Sequence, residues 1–257
     1  MVKADVVVIG AGPAGAVAAA RAAQLGARTI LVTRDAFGGM AANEGPVPVR
    51  TLAHAARLLR GAAQLSRYGI SIGEPRLDYP CLLARAREVV IDVRTHSALR
   101  DRVDAAGVTV YEHAGTARFA DSHTIDCERG PRVCADKVIL CAGGMSRRLQ
   151  VPGAELTATV TDAFALTDVP ESMIVVGGGM TGLQVASIFQ AFGSRVSLFQ
   201  SVPRVVPRED EDVSIALAAA FRESGMVVRE GIGAIESFER SRDGVHMHVS
   251  TDGVRDG

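Results

Sequence analysis

Residues 4–15, ADVVVIGAGPAG, constrain the fold more than any other stretch: a short apolar run meets glycines at Gly10, Gly12 and Gly15 with no loop between. Val6, Val7, Val8 and Ile9 are all β-branched, as in a strand buried on both faces, and the alanine-rich segment from Pro13 onward reads as a helix. A strand that turns directly into a helix through GxGxxG is the dinucleotide-binding fingerprint. Gly10 permits the tight turn, Gly12 lets the backbone approach a pyrophosphate, and Gly15 lets helix and strand pack closely. Pro13 and Ala14 complete the turn, where unpaired N–H groups and the helix dipole attract the anion.

The pattern recurs. Residues 173–182, MIVVGGGMTG, repeat strand, glycines (Gly177, Gly179, Gly182) and helix, with Met180 and Thr181 inside the second turn. One copy fits chance or a purely structural turn; two in matching contexts imply two bound dinucleotides. A chain of 257 residues, 47% apolar, has room for two such domains and their cores. A formal net charge of −1 gives no reason to expect nucleic acid or an anionic membrane surface as a partner. The sequence enters its first strand within a few residues, without a basic n-region or cleavage site, and no apolar run reaches membrane-spanning length. A soluble cytoplasmic protein is expected.

Cys81, Cys127, Cys134 and Cys141 lack CxxC spacing, which argues against a metal site or a dithiol motif and favours buried apolar thiols. Cys127 and Cys134 flank the turn-like Arg129-Gly130-Pro131 and are expected to face each other across a hairpin, reduced in a cytoplasm. The second strand covers residues 28–33. The residue that grips ribose hydroxyls ends such a strand and is usually acidic; here it is Thr33, followed by Arg34 and Asp35. One hydroxyl grips less firmly than a carboxylate, and Arg34 fits either stacking on an adenine or a plain surface charge. Helices are expected over 51–68 and 80–106, short strands between 108 and 133, and another buried strand in residues 137–144, KVILCAGG.

Residues 37–52, FGGMAANEGPVPVRTL, together with the opening fingerprint, resemble the pyridine nucleotide-disulfide oxidoreductases, whose members typically read GGTCxNxGCxPSK here. Gly38, Gly39, Asn43, Gly45 and Pro48 keep that frame, and Met40 stands at the threonine. Ala41 and Pro46 replace both redox cysteines, and Arg50 replaces the lysine beside the flavin. The resemblance implies two Rossmann-like domains of α/β class, three-layered, with parallel sheets and small antiparallel crossover sheets. Residues 1–150 would bind FAD and 151–257 NAD(P)H. It further places Thr116 and Ala117 near the FAD adenine, and Ala142, Gly143 and Gly144 where the backbone passes the cofactor. Val151-Pro152-Gly153 resembles the family's link to its second domain, and Gln184 stands where members carry a glutamate paired with the flavin-side lysine. Arg50 and Gln184 are therefore the candidate catalytic pair, an ion pair reduced to an amide–guanidinium contact. Arg50 equally fits a salt-bridged helix residue.

In the second copy Gln200 lies as far beyond Gly182 as Thr33 lies beyond Gly15. No carboxylate grips ribose in either copy, and NADH versus NADPH stays open. A short helix is expected over 161–167 ahead of the strand at 172–176, and beyond Gln200 a charged helix over 208–224 and strands over 226–229, 234–239 and 245–250. Members of the family that the sequence resembles continue with a segment holding the flavin and an interface domain that forms a homodimer, and neither lies in these residues. A piece of a longer protein is expected, the alternative being a minimal relative that closes its flavin domain otherwise.

Neither a methyl nor a pyrrolidine ring relays electrons as a thiolate does, so disulfide reduction by the usual route is excluded. The resemblance then implies an FAD-dependent NAD(P)H oxidoreductase, passing hydride from nicotinamide to flavin and on to a small-molecule acceptor such as a quinone, a dye, oxygen or a second nucleotide. The competing reading is a nucleotide-binding regulatory or assembly subunit without turnover. A third uses Cys141 as a single thiol.

Overall fold

The computed structural model describes residues 1–163, 166–251 and 254–256. It divides into two compact units, Met1–Thr51 with Leu83–Met145 and Leu52–Leu82 with Ser146–Gly257. A cut near residue 150 leaves residues 52–82 with the first unit; the structure groups them with the second, where Arg60 donates to the Ser187 carbonyl (3.1 Å) and the Tyr79 ring meets Phe192 edge-on at 5.8 Å.

In the first unit, β1 (Val2–Ile9) leads through the glycine turn into α1 (Pro13–Gln24) and β2 (Thr29–Val32). The chain continues through α2 (Gly39–Asn43) and α3 (Pro46–Ala62), which passes into the second unit after Thr51, and through α4 (Tyr79–His96), which belongs to the first unit again from Leu83. α5 (Ala98–Ala105), β3 (Thr109–Tyr111), β4 (Ala117–Phe119), β5 (Thr124–Cys127) and β6 (Val133–Leu140) follow in the first unit. One sheet in the order β3-β2-β1-β6-β5-β4 holds all six strands. β3, β2, β1 and β6 run parallel, and β5 and β4 continue antiparallel from β6. The expected antiparallel crossover is thus an extension of the parallel sheet, and β3 belongs to the parallel part.

Successive residues of β1 point to opposite faces, and both faces are covered. Val8 packs with Leu31, Ala16, Ala19, Ala20 and Val103 on one side, and Val7 with Ile30, Val32, Ile125 and Val133 on the other. Val7 and Val8 are each fully buried, contributing about 2 kcal/mol apiece. Alanines on the inner side of α1 let the helix lie close to the strands.

Two helices depart from expectation. α3 begins at Pro46, ahead of residue 51, because prolines in a first turn remove only N–H groups that have no helical partner. The helix expected over 80–106 is two helices. Ser97 leaves helical geometry (φ −76°, ψ 147°) and its hydroxyl accepts from the Arg100 N–H, capping α5. The cysteine expectations are also corrected. Register pairs Cys134 with Thr124 and Cys127 with Ala117, so the two thiols are not opposite one another. All four are free; Cys81 is exposed and the others half-buried.

After β6 the second unit resumes with α6 (Val160–Ala163); the short helix expected over 161–167 otherwise falls partly outside the described residues. β7 (Ser172–Val176), α7 (Met180–Ala191), β8 (Arg195–Gln200), α8 (Glu211–Glu223) and β9 (Val227–Glu230) then form a parallel three-stranded sheet in the order β7-β8-β9. β10 (Ala234–Ser241), β11 (Gly244–Thr251) and β12 (Val254–Asp256) make an antiparallel meander. Leu183, Ala186, Ile188 and Phe189 of α7 are buried, as are Val196 and Leu198 of β8. Among the described residues no helix is long and apolar enough to cross a membrane, and no group of three or more His, Cys, Asp or Glu is placed to hold a metal ion.

Candidate functional site: two glycine turns

Both turns lie at the carboxyl ends of parallel strands, where open α/β sheets bind ligands. In the first unit β1 sits between β2 and β6, and loops from all three strands converge. Gly10 donates to the Val32 carbonyl (2.7 Å), Gly38 to Ala11 (2.9 Å), and Cys141 to Ile9 (2.8 Å). Gly39 presses on Gly12 so closely that a Cβ there would lie 2.8 Å from the Gly12 Cα. Ala142, Gly143 and Gly144 follow directly and are exposed. Cys141 packs against the cluster under α1.

The glycines differ in what a Cβ would meet, and so in the room they leave for a guest. At Gly15 and Gly182 it would strike the carbonyl oxygens of Gly10 (1.7 Å) and Gly177 (1.9 Å), so these glycines are required by helix–strand packing. At Gly12 the nearest atom is 3.9 Å away, and at Gly179 nothing lies within 4 Å, although both have ordinary extended backbone. Protein packing therefore does not require glycine at either middle position; a close-lying pyrophosphate would. The helix starts agree. Neither Gly12 nor Gly179 provides a side-chain cap, and no acidic residue stands in the first turn of α1 or α7. α8, which follows no glycine turn, carries Glu211 and Asp212 there. Pro13, Ala14, Met180 and Thr181 are exposed at the two openings. The residues present fit two dinucleotides.

Other expected site residues are placed as follows. Thr33 is 6% exposed at the end of β2, donating to Tyr111 (2.9 Å) and accepting from Ala114 (3.0 Å) through its backbone. Arg34 is exposed and ion-paired with Asp35 at 2.8 Å, and its carbonyl accepts from Gly115 (3.2 Å), which brings Thr116 and Ala117 to the same strand end. Asn43 braces the loop: its amide donates to the carbonyls of Gly39 (2.8 Å) and Phe37 (3.2 Å), and its oxygen accepts from Arg94. Met40 is half exposed, with its sulfur folded against Gly45. Arg50 is exposed on α3 and, among the described residues, has no ion-pair partner. Gln184 is exposed on α7. Gln200 is 7% exposed, and its carboxamide is already engaged, accepting from the Gly178 N–H (3.1 Å) and donating to the Arg204 carbonyl (3.3 Å).

Sequence reasoning missed two carboxylates. Glu112, just beyond β3, accepts from the Phe37 N–H (2.8 Å) and from Arg100 (2.6 Å), whose guanidinium also lies over the Phe37 ring. Burial pushes the Glu112 carboxyl up, and the Phe37 N–H and Arg100 pull it down further, leaving it below its ordinary value. Glu230, the last residue of β9, accepts from the Val205 N–H (2.8 Å) and from Arg222 (2.7 Å).

Comparison with known proteins agrees with this geometry. Residues 4–255 match the family model described as pyridine nucleotide-disulphide oxidoreductase. The chain is 32% identical to dihydrolipoyl dehydrogenase of Haemophilus influenzae, covering 99% of this chain and 54% of that protein. It is likewise 32% identical to the Pseudomonas aeruginosa dihydrolipoyl dehydrogenase, covering 95% of this chain and 54% of the relative. Among solved structures it resembles the Cu(II) complex of the HOCl-induced flavoprotein disulfide reductase RclA from Escherichia coli. There the TM-score is 0.80 and the identity 25%, covering 99% of this chain and 54% of the other. The chain thus spans about half the length of the relatives it matches. With two strand–glycine–helix turns in one chain and a family match over nearly its full extent, it belongs to the pyridine nucleotide-disulphide oxidoreductase family.

Proposed function

We propose that this chain is the coenzyme-binding part of an FAD-dependent NAD(P)H oxidoreductase whose acceptor is a small molecule other than a disulfide. The turn at Gly10–Gly15 holds FAD and the turn at Gly177–Gly182 holds the nicotinamide nucleotide. One observation carries the reading: both middle glycines face space that no protein atom fills, while the loop between Phe37 and Arg50 contains no cysteine. Bound FAD supplies two-electron acceptance from the nicotinamide and release to the acceptor.

The chain's own residues bind and orient. Gly12, Gly38 and Gly39 bring backbone close to the flavin diphosphate, with Thr33, Arg34, Thr116 and Ala117 on its adenosine side. Ala142, Gly143 and Gly144 line the same cradle from β6. Gly179, Met180 and Thr181 open α7 toward the second diphosphate. Arg50 supplies a permanent, unpaired cation where relatives carry lysine, and Gln184 a neutral amide where they carry glutamate. With Ala41 and Pro46 in place of thiols, electrons leave the flavin without a sulfur relay. The whole protein is proposed to be a cytoplasmic homodimer.

Anaerobic titration of the FAD-loaded chain with NADH and NADPH tests this. Bleaching of the flavin by at least one donor, reversed by a quinone, is the expected result. A colourless chain that takes up no added FAD overturns it and leaves a nucleotide-binding subunit without turnover. Cys141→Ser should leave the flavin's reduction unchanged, because that side chain packs into the core beneath α1.

A further inference from the structure

In each unit the residue that usually grips ribose is neutral and buried, Thr33 in one and Gln200 in the other. Sheet register shows where carboxylates stand instead. Val32 pairs with Tyr111, so Glu112 lies laterally beside Thr33; Gln200 pairs directly with Glu230. Across the next strand, Ile9 pairs with Val32 and Val176 with Phe199, which sets Gly10 beside Thr33 and Gly177 beside Gln200. The rows Gly10, Thr33, Glu112 and Gly177, Gln200, Glu230 are therefore equivalent.

The two glutamates also make the same contacts. Each accepts the backbone N–H of a residue in the loop leaving the second strand, Phe37 or Val205. Each is ion-paired with an arginine of the helix that precedes the third strand, Arg100 or Arg222. These loops touch the glycine turns: Gly38 donates to Ala11, and Val206 donates to Gly178 (2.7 Å). A second observation marks the same places. Among the described residues, only His113 (φ 53°) and Val206 (φ 37°) have positive φ without being glycine. One follows Glu112, and the other follows the N–H that Glu230 holds. Such backbone persists only where its surroundings over-determine it.

We infer that Glu112 and Glu230 are equivalent positioning residues, each tying the loop beyond its unit's second strand to the third strand and so setting the adenosine-side wall of that unit's cradle. The inference rests on the reading of both turns as coenzyme cradles. A carboxylate suits the task because its hydrogen bond to a backbone N–H is charge-assisted, and the arginine balances its partial burial. Each glutamate acts only on its own cradle.

The test uses the full chain with Glu112→Ala, Glu112→Gln, Glu230→Ala and Glu230→Gln. Amide hydrogen exchange at Phe37 and Val205 is followed without coenzyme, and FAD and NADPH binding are followed by flavin fluorescence and calorimetry. Glu112→Ala should speed exchange at Phe37 and weaken FAD binding, each roughly tenfold, with Val205 exchange and NADPH binding unchanged. Glu230→Ala should do the reverse. The glutamine variants, which keep an acceptor for the N–H, should recover most of both effects. Three outcomes overturn the inference: unchanged exchange at the tethered amide, equal weakening of both coenzymes by one alanine variant, or glutamine variants as impaired as alanine. If the unaltered chain takes up neither coenzyme, the proposed function fails, and the exchange measurement alone upholds or overturns the tether.

Discussion

At their third glycine the two units are alike: an added Cβ would lie 1.7 Å from the Gly10 carbonyl oxygen in one and 1.9 Å from that of Gly177 in the other. At the first glycine they part. A Cβ on Gly10 would lie 2.1 Å from the Cys141 carbonyl oxygen, because β6 runs beside β1; a Cβ on Gly177 would meet nothing within 4 Å. Among the described residues, β8 is the only sheet partner of β7, and Ile174 and Val176 on β7 are 44% and 38% exposed where Val7 and Val8 are fully covered. The fingerprint therefore encodes the packing of one strand against its own helix. What the first glycine must avoid is decided by the strand next door.

The largest effects are expected where the units agree. Gly15→Ala and Gly182→Ala should each cost about 3 kcal/mol or more in urea unfolding, since rigid backbone stands in the way. Gly10→Ala should cost as much, but Gly177→Ala only the strain of its left-handed backbone, about 1–2 kcal/mol. Equal losses at Gly10 and Gly177 would break the comparison. Next come the middle glycines. Gly12→Ala and Gly179→Ala should leave unfolding within about 0.5 kcal/mol of the parent. Coenzyme affinity in the altered unit should nevertheless fall about tenfold, or 1.4 kcal/mol, measured by calorimetry.

Why some of this was legible and some not follows from the residues. Strand, turn and helix at 4–15 and 173–182 are contiguous in sequence, so β-branched runs and glycine spacing suffice to place β1, α1, β7 and α7. Thr33 and Gln200 follow Gly10 and Gly177 at the same interval and were found by it. Glu112 and Glu230 do not share one: α2, α3 and α4 intervene before α5 and β3, whereas only a loop separates β8 from α8. Their equivalence exists in sheet register, which a sequence does not display; aligning the third strands of the repeat would have been the signal. The break at Ser97 is not legible in the sequence, because Thr95 and His96 before it and Ala98 and Leu99 after it contain neither glycine nor proline. The break is marked by its extended backbone and its capping hydroxyl.

That cap yields a smaller contrast between the units. Ser97→Ala should cost about 1 kcal/mol, because the Arg100 N–H loses its acceptor. Asp210, at the corresponding end of α8, makes no side-chain cap, so Asp210→Ala should change stability by only about 0.3 kcal/mol, as expected of a charge near a helix start. Thermal unfolding of the two variants side by side checks the difference. Comparable losses would mean that the Ser97 hydroxyl holds its helix start no better than the Asp210 charge holds its own.

The smallest effect is a pH dependence carried by Glu112. The Glu112 carboxyl is pushed up by burial and pulled further down by the Phe37 N–H and Arg100, so it titrates below its ordinary value of 4.5. A carboxyl whose value is depressed on folding adds stability that is fully present above its unfolded value and is lost as the pH falls through the folded one. In Glu112→Gln that contribution is gone at every pH, while the amide oxygen can still accept the Phe37 N–H. The parent should therefore lead the variant by a constant margin from neutrality down to about pH 5, and the margin should shrink below that as the parent's carboxyl takes up its proton. Urea midpoints measured from pH 7 to about pH 3 follow the margin directly. A margin that widens toward acid would mean that the carboxylate is unfavourable where it stands, and that the Phe37 loop is held against it by packing rather than by charge.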